Sequence, residues 1–143
     1  MEAGVGTGYL AMGLACLGSD VVGIELKENS GTIRSIMKDA DHVVLYDLDA
    51  LRLSAEFLDR GRFTSMTCLI GIEDVTIHVA NIFLRSHYCT ELAYLLPARG
   101  AKNVRTLLEK GNVSLEQIQV TLAGGKGRRS VVIGIKNDIL SFA

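Results

Sequence analysis

Residues 1–25 read MEAGVGTGYLAMGLACLGSDVVGIE and carry three signals in a row. Glu2-Ala3-Gly4-Val5-Gly6-Thr7-Gly8 places glycine at alternate positions, which lets a backbone turn sharply and approach a ligand closely. Thr7 to Leu17 follows as a helix, with Leu10, Leu14 and Leu17 spaced for one face and Gly18 suited to the C-terminal cap. The unpaired N–H groups of that helix start face the same place as the loop. Val21 to Glu25 is then a short apolar run ending in an acid, the pattern of a buried parallel strand. Glu25 stands seventeen residues after Gly8, where a carboxylate accepts hydrogen bonds from both hydroxyls of a ribose. Loop and acid together describe a site for a ribose-bearing ligand. The plainer alternative is a glycine-rich turn without a ligand, with the acid capping the next helix.

The same alternation continues downstream. Asn29 or Ser30 is expected to cap a short helix through Ile33, Ile36 and Met37. His42 to Tyr46 reads as a strand ending at Asp47, Ser54 to Arg60 as a helical turn or two, and Ser65 to Ile72 as a strand ending at Glu73. Asp74 is expected to cap a helix with Ile77, Ala80 and Leu84 on one face. Glu91 to Leu96 is a strand stopped by Pro97, and Asn103 to Lys110 a short helix. Leu115 to Leu122 and Ser130 to Lys136 form a final hairpin around the glycine-rich turn 123–129. Strand–helix alternation closed by a hairpin implies an α/β fold, with a mostly parallel sheet and an antiparallel edge.

With 143 residues, 48% of them hydrophobic, the chain is one domain's worth and well outside the disordered range. No apolar run spans a bilayer, so no membrane partner is expected. Fifteen Lys plus Arg against sixteen Asp plus Glu leave a net charge of −1, which does not imply nucleic acid as a partner. Cys16, Cys68 and Cys89 are odd in number and scattered. A disulfide framework or a metal site is not expected, and each thiol is read as a small core residue in a reducing, cytoplasmic compartment. No signal peptide is visible.

The dinucleotide fingerprint G-x-G-x-x-G fails here, because its third position falls on Tyr9. The spacing is instead G-x-G-x-G with an acid two residues ahead. Glu2 to Gly8, with Val22-Gly23-Ile24-Glu25, resembles motif I and its following acid in the class I S-adenosylmethionine-dependent methyltransferases. The layout of nearly the whole chain is similar to that family's Rossmann-like three-layer α/β sandwich, while the motif likeness covers about the first 25 residues. The resemblance implies S-adenosylmethionine as cofactor and methyl transfer to an unidentified acceptor. By position, it implies Glu2 near the methionine amino group and Gly4, Gly6 and Gly8 under the methionine and ribose. It implies Glu25 on the ribose hydroxyls and Asp47 near the adenine amino group, with Asp49 a rival for that last role.

Two departures from the family stand out. The family's central strand leads into motif I, and only Met1 precedes Glu2. The expectation is a single domain lacking its first strand, with the sheet completed by upstream sequence, a partner chain or a rearranged strand order. An exposed sheet edge would then favour homo- or hetero-oligomers. The segment Ile70-Gly71-Ile72-Glu73-Asp74 also lacks the Asn/Asp-Pro-Pro-aromatic signature of amine methyltransferases, so no catalytic residue is assigned. Methyl transfer needs little acid–base help once the acceptor is aligned. The alternative function is a degenerate methyltransferase-like structural or assembly subunit. His42, His78 and His87 show no ligand spacing, His78 being read as exposed, and no nucleophile elbow is present. The basic groups Lys126, Arg128, Arg129 and Arg99, Lys102, Arg105 are read as solvated loops, with a phosphate- or RNA-contacting surface as the less favoured alternative.

Overall fold

Apolar runs of four or five residues, separated by amphipathic stretches, become seven strands and five α-helices in the computed structural model, which describes residues 1–121 and 127–137. The chain divides into two compact units, Met1–Leu53 and Ser54–Ala143.

The first unit runs β1 (Glu2–Ala3), α1 (Tyr9–Cys16), β2 (Val21–Glu25), α2 (Lys27–Met37) and β3 (Val43–Asp47), followed by a 3-10 turn at Ala50–Arg52. Its strands are all parallel, with Ala3 opposite Ile24 and Glu25 opposite Asp47. Glu2–Ala3, expected in a turn, is thus a two-residue strand on β2. Val5, Ala11, Val21, Ile33 and Met37 form the core between strands and helices. In α1 the buried residue is Ala11, while Leu17 stands 84% exposed at the C-terminal cap, beyond the face expected for it. Cys16, in the last turn of that helix, is exposed rather than a core residue. The helix α2 starts two residues before Asn29, so neither Asn29 nor Ser30 is its cap. The N-cap position is Leu26, which makes no side-chain cap bond; beside it the Glu25 carboxylate accepts from the Leu26 N–H and the Asn29 side chain.

The second unit contains α3 (Ala55–Arg60), β4 (Ser65–Cys68), α4 (Glu73–Arg85), β5 (Glu91–Leu95), α5 (Ala101–Lys110), β6 (Val113–Thr121) and β7 (Arg128–Lys136). β4 pairs with β5 in parallel, and β7 lies antiparallel between β5 and β6. Ser54 caps α3 through its hydroxyl, which accepts from the Phe57 N–H at 3.2 Å. The strand expected to reach Ile72 ends at Cys68, because Gly71 takes φ +70° and turns the chain into α4. Asp74 is therefore inside the first turn of α4 and not its cap. That helix buries Thr76, Val79, Ala80, Ile82 and Phe83, leaving Ile77 and Leu84 only half-buried. Thr76 is tolerated there because its hydroxyl donates to the Ile72 carbonyl at 2.8 Å. His78 is half-buried, not exposed. Residues 122–126, the last residue of the expected strand and the first four of the expected hairpin turn with Lys126 among them, lie outside the described residues, while Arg128 and Arg129 open β7. Among the described residues, no helix is long and apolar enough to cross a membrane.

Candidate functional site

The first unit gathers an acid, a glycine loop and a second acid at the carboxyl ends of β1 and β2. Gly4, Gly6 and Gly8 all adopt left-handed backbone, with φ of +77°, +58° and +80°. The Gly4 and Val5 N–H groups both donate to the Ile24 carbonyl, at 2.8 and 3.2 Å, which folds the loop back onto β2. Val5 fills the space above Gly23: a Cβ on Gly23 would stand 2.5 Å from Val5 Cγ2. A glycine inside a strand signals such a close approach. Gly8 precedes α1 and packs on Met37, whose Sδ would lie 2.8 Å from an added Cβ. Gly6 differs, because its missing Cβ would meet nothing within 4 Å.

Glu25 is 8% exposed and accepts three hydrogen bonds. Gly6 N–H donates to Oε2 at 2.9 Å, while Leu26 N–H and Asn29 Nδ2 donate to Oε1 at 2.9 and 3.1 Å. A carboxylate has about four acceptor positions, so the acid that could meet a ribose also holds the loop and the start of α2. Asn29, which braces Glu25, was not expected at the site. Its place four residues downstream on a helix was the available signal.

Glu2 is 2% exposed, and its Oε2 is buried with no hydrogen-bond partner among the described residues. Burial pushes its carboxyl up to about 7, opposed first by the charge of the N-terminal ammonium and then by a hydrogen bond from the Ala11 backbone, and helped slightly by the charge of Glu25. A carboxyl so placed is half-ionised near neutral pH, and any cation brought beside it favours the charged form.

Asp47 and Asp49 stand apart from this group. Arg34 donates to Asp47 Oδ1 at 2.7 Å and to the Leu45 carbonyl at 3.0 Å. The neighbouring Ser30 hydroxyl and the Arg34 guanidinium hold the Asp47 carboxyl below its usual range. Asp49 Oδ1 accepts from the Leu51 N–H at 2.9 Å and caps the 3-10 turn.

Histidines lacking any ligand spacing along the chain nevertheless meet acids in space. His42 Nδ1 lies 2.8 Å from Asp20 Oδ1, and His87 Nδ1 lies 2.9 Å from Asp59 Oδ2. Ser86 Oγ donates to Asp59 Oδ1 at 2.5 Å. Serine and histidine thus both bond to the acid, whereas nucleophilic catalysis needs the histidine on the serine. Asp59 ties the end of α4 to α3 and has no hydrolytic arrangement. Among the described residues, no group of three or more His, Cys, Asp or Glu could hold a metal ion.

No family model matches the chain, and no curated protein matches it. Solved structures do. Magnesium protoporphyrin IX methyltransferase from Synechocystis PCC 6803, with bound SAH, superposes over 94% of this chain and 72% of its own, with a TM-score of 0.71 and 13% identity. Precorrin-6y C5,15-methyltransferase from Geobacter metallireducens GS-15 covers 94% and 78%, with a TM-score of 0.74 and 12% identity. Aeropyrum pernix fibrillarin, with natively bound S-adenosyl-L-methionine, covers 94% and 64%, with a TM-score of 0.63 and 13% identity. The fold is therefore the Rossmann-like α/β fold of the class I S-adenosylmethionine-dependent methyltransferases.

Proposed function

We propose that the chain binds S-adenosylmethionine over the loop Gly4–Gly8 and serves methyl transfer to an acceptor. The observation that carries this reading is the buried Glu2 carboxyl, whose Oε2 has no partner among the described residues although the loop beside it is built from left-handed glycines. Leaving a buried carboxyl oxygen unpaired costs about 1–3 kcal/mol, and a bound cation offsets that cost. The residues fit the cofactor in three respects. Glu2 supplies a negative charge for the methionine end, with its ammonium and sulfonium. Gly6 leaves open space where any side chain would intrude. Glu25 keeps acceptor capacity for ribose hydroxyls, and gains more if the Gly6 N–H turns away from it.

Asp47 and Asp49, at the end of β3, are the acids available to an adenine amino group, each with one oxygen already engaged. The bound cofactor would supply a methyl group activated on sulfur. The chain's own residues bind and orient it, and exclude water from its charged end. Fold likeness to methyltransferases that hold SAH or S-adenosylmethionine supports the same reading.

The test is calorimetric titration of the folded chain with S-adenosylmethionine and S-adenosylhomocysteine. Saturable binding near one per chain, weakened at least about tenfold in Glu25→Ala, is expected from the loss of charge-assisted hydrogen bonds. Binding unchanged in Glu25→Ala would overturn the site. A folded chain that binds neither compound would leave a structural or assembly role in its place.

A further inference from the structure

The second unit holds a cavity of about 430 Å³ that the cofactor reading does not use. Leu69 and Gly71 line it from the segment after β4, Leu95 from the end of β5, Val120 from β6, and Val131 and Arg129 from β7. It therefore lies beyond the carboxyl ends of two parallel strands, where open α/β sheets bind ligands. The volume is on the order of that of small-molecule pockets, about 300–1,000 Å³.

The strand register explains the lining. Leu95 pairs with Val131, and Val131 with Ile118, so these share one face of the sheet. Arg129 pairs with Val120 two residues away on that face, while Arg128 points to the other. Gly71 keeps the cavity open beside Leu95, since a Cβ there would approach Leu95 Cδ2 to 2.9 Å. Leu69 and Val120 remain 37% and 41% exposed, so apolar surface faces the opening. Among the described residues, Arg129 is the one charged residue in the lining and no side-chain acid pairs with it.

We infer that this cavity binds a small apolar organic anion, with its hydrocarbon body against Leu69, Leu95, Val120 and Val131 and its acidic group on Arg129. Carboxylate, sulfonate and phosphate share the chemistry that a guanidinium recognises. An aliphatic lining around a single cation selects an amphipathic acid: a neutral molecule leaves Arg129 unmatched, and a polyanion meets too little charge. The cavity is lined wholly by residues of the second unit, whereas the proposed cofactor loop belongs to the first. The binding itself is independent of the cofactor reading.

The test uses the intact chain and the fluorescent probe anilinonaphthalene sulfonate, displaced by decanoate or by decanol. These two competitors differ in charge and not in chain length. Saturable probe binding is expected, with decanoate displacing it at concentrations at least about tenfold lower than decanol. Arg129→Gln should weaken probe and decanoate about tenfold or more, while Arg128→Gln leaves both unchanged. The chain has no tryptophan, so Val120→Trp places a single donor at the cavity mouth, and energy transfer to bound probe is expected. Equal displacement by decanol, wild-type affinity in Arg129→Gln, absence of energy transfer, or no binding by the folded chain would each overturn the inference. S-adenosylmethionine titration of the same samples separates the two proposals. Cofactor binding without probe binding ends this one, and probe binding without cofactor binding ends the other.

Discussion

Glu2 is the residue at which folding and ligand binding oppose each other. Its carboxyl is raised from 4.5 to about 7 by burial, so the folded chain holds its proton more tightly than the unfolded chain does. The stability this contributes is complete below pH 4.5 and is lost as pH rises through 7. At 1.36 kcal/mol per unit, the loss reaches an upper limit of about 3 kcal/mol. Chemical denaturation of Glu2→Gln should therefore give a flatter stability profile between pH 5 and 8 than wild type, and a more stable protein at pH 8. A wild-type slope retained in Glu2→Gln would place the titrating group elsewhere. The loop glycines separate stability from binding. Gly8→Ala combines left-handed strain with a contact on Met37 and should cost about 1–2 kcal/mol. Gly6→Ala meets open space and should cost about 1 kcal/mol from φ alone, yet lose cofactor affinity far beyond that. Equal losses of affinity in the two variants, in proportion to their stability, would contradict the assignment. These glycines were legible in the sequence because no other residue takes left-handed backbone so readily. The engagement of Asp47 by Arg34 was not, since it joins a strand end to a helix thirteen residues earlier.

At the scale of elements, apolar runs gave strands almost to the residue where both ends were marked. β2 was read as Val21–Glu25 and is Val21–Glu25, between a glycine-bearing turn and an acid. Misses came at helix starts that no side chain caps, and where groups far apart in sequence meet. Leu26 begins α2 without a side-chain cap, in place of Asn29 or Ser30. Ile72 begins α4 without a side-chain cap, in place of Asp74. Asp59 is a non-local tie: burial raises its carboxyl, but hydrogen bonds from Ser86 and His87 outweigh this and lower it from 3.8 to about 2. Its stabilising contribution is present above pH 3.8 and is lost as pH falls towards 2. Asp59→Asn should cost about 1–3 kcal/mol at neutral pH and reduce the acid sensitivity of unfolding, as followed by circular dichroism. An unchanged acid limb would show that other carboxylates govern it. In β5, the Tyr94 hydroxyl is fully buried with no hydrogen-bond partner among the described residues. Tyr94→Phe removes that group and is expected to raise stability by about 1 kcal/mol, or at least not to lower it. A clear loss in thermal unfolding would reveal a partner for the hydroxyl.

For the whole molecule, alternation and the closing hairpin were enough to set the fold class, and the solved methyltransferases agree with it over 94% of the chain. Glu25 was legible as a candidate because it ends an apolar run, and Glu2 because it stands two residues ahead of the glycine loop. The Arg129 cavity was not, because its lining comes from four separate strands or strand ends, and nothing along the chain shows which arginine faces it. On the proposed reading, a cationic cofactor ionises Glu2 as it binds. That ionisation is tested most directly by titrating S-adenosylmethionine at pH 6 in two buffers of different ionisation enthalpy, with wild type and Glu2→Gln. With the carboxyl near 7, most wild-type chains are protonated at that pH. The account expects close to one proton released per cofactor bound by wild type and essentially none by Glu2→Gln. Equal proton release by the two proteins, or no binding by the folded wild type, would contradict it.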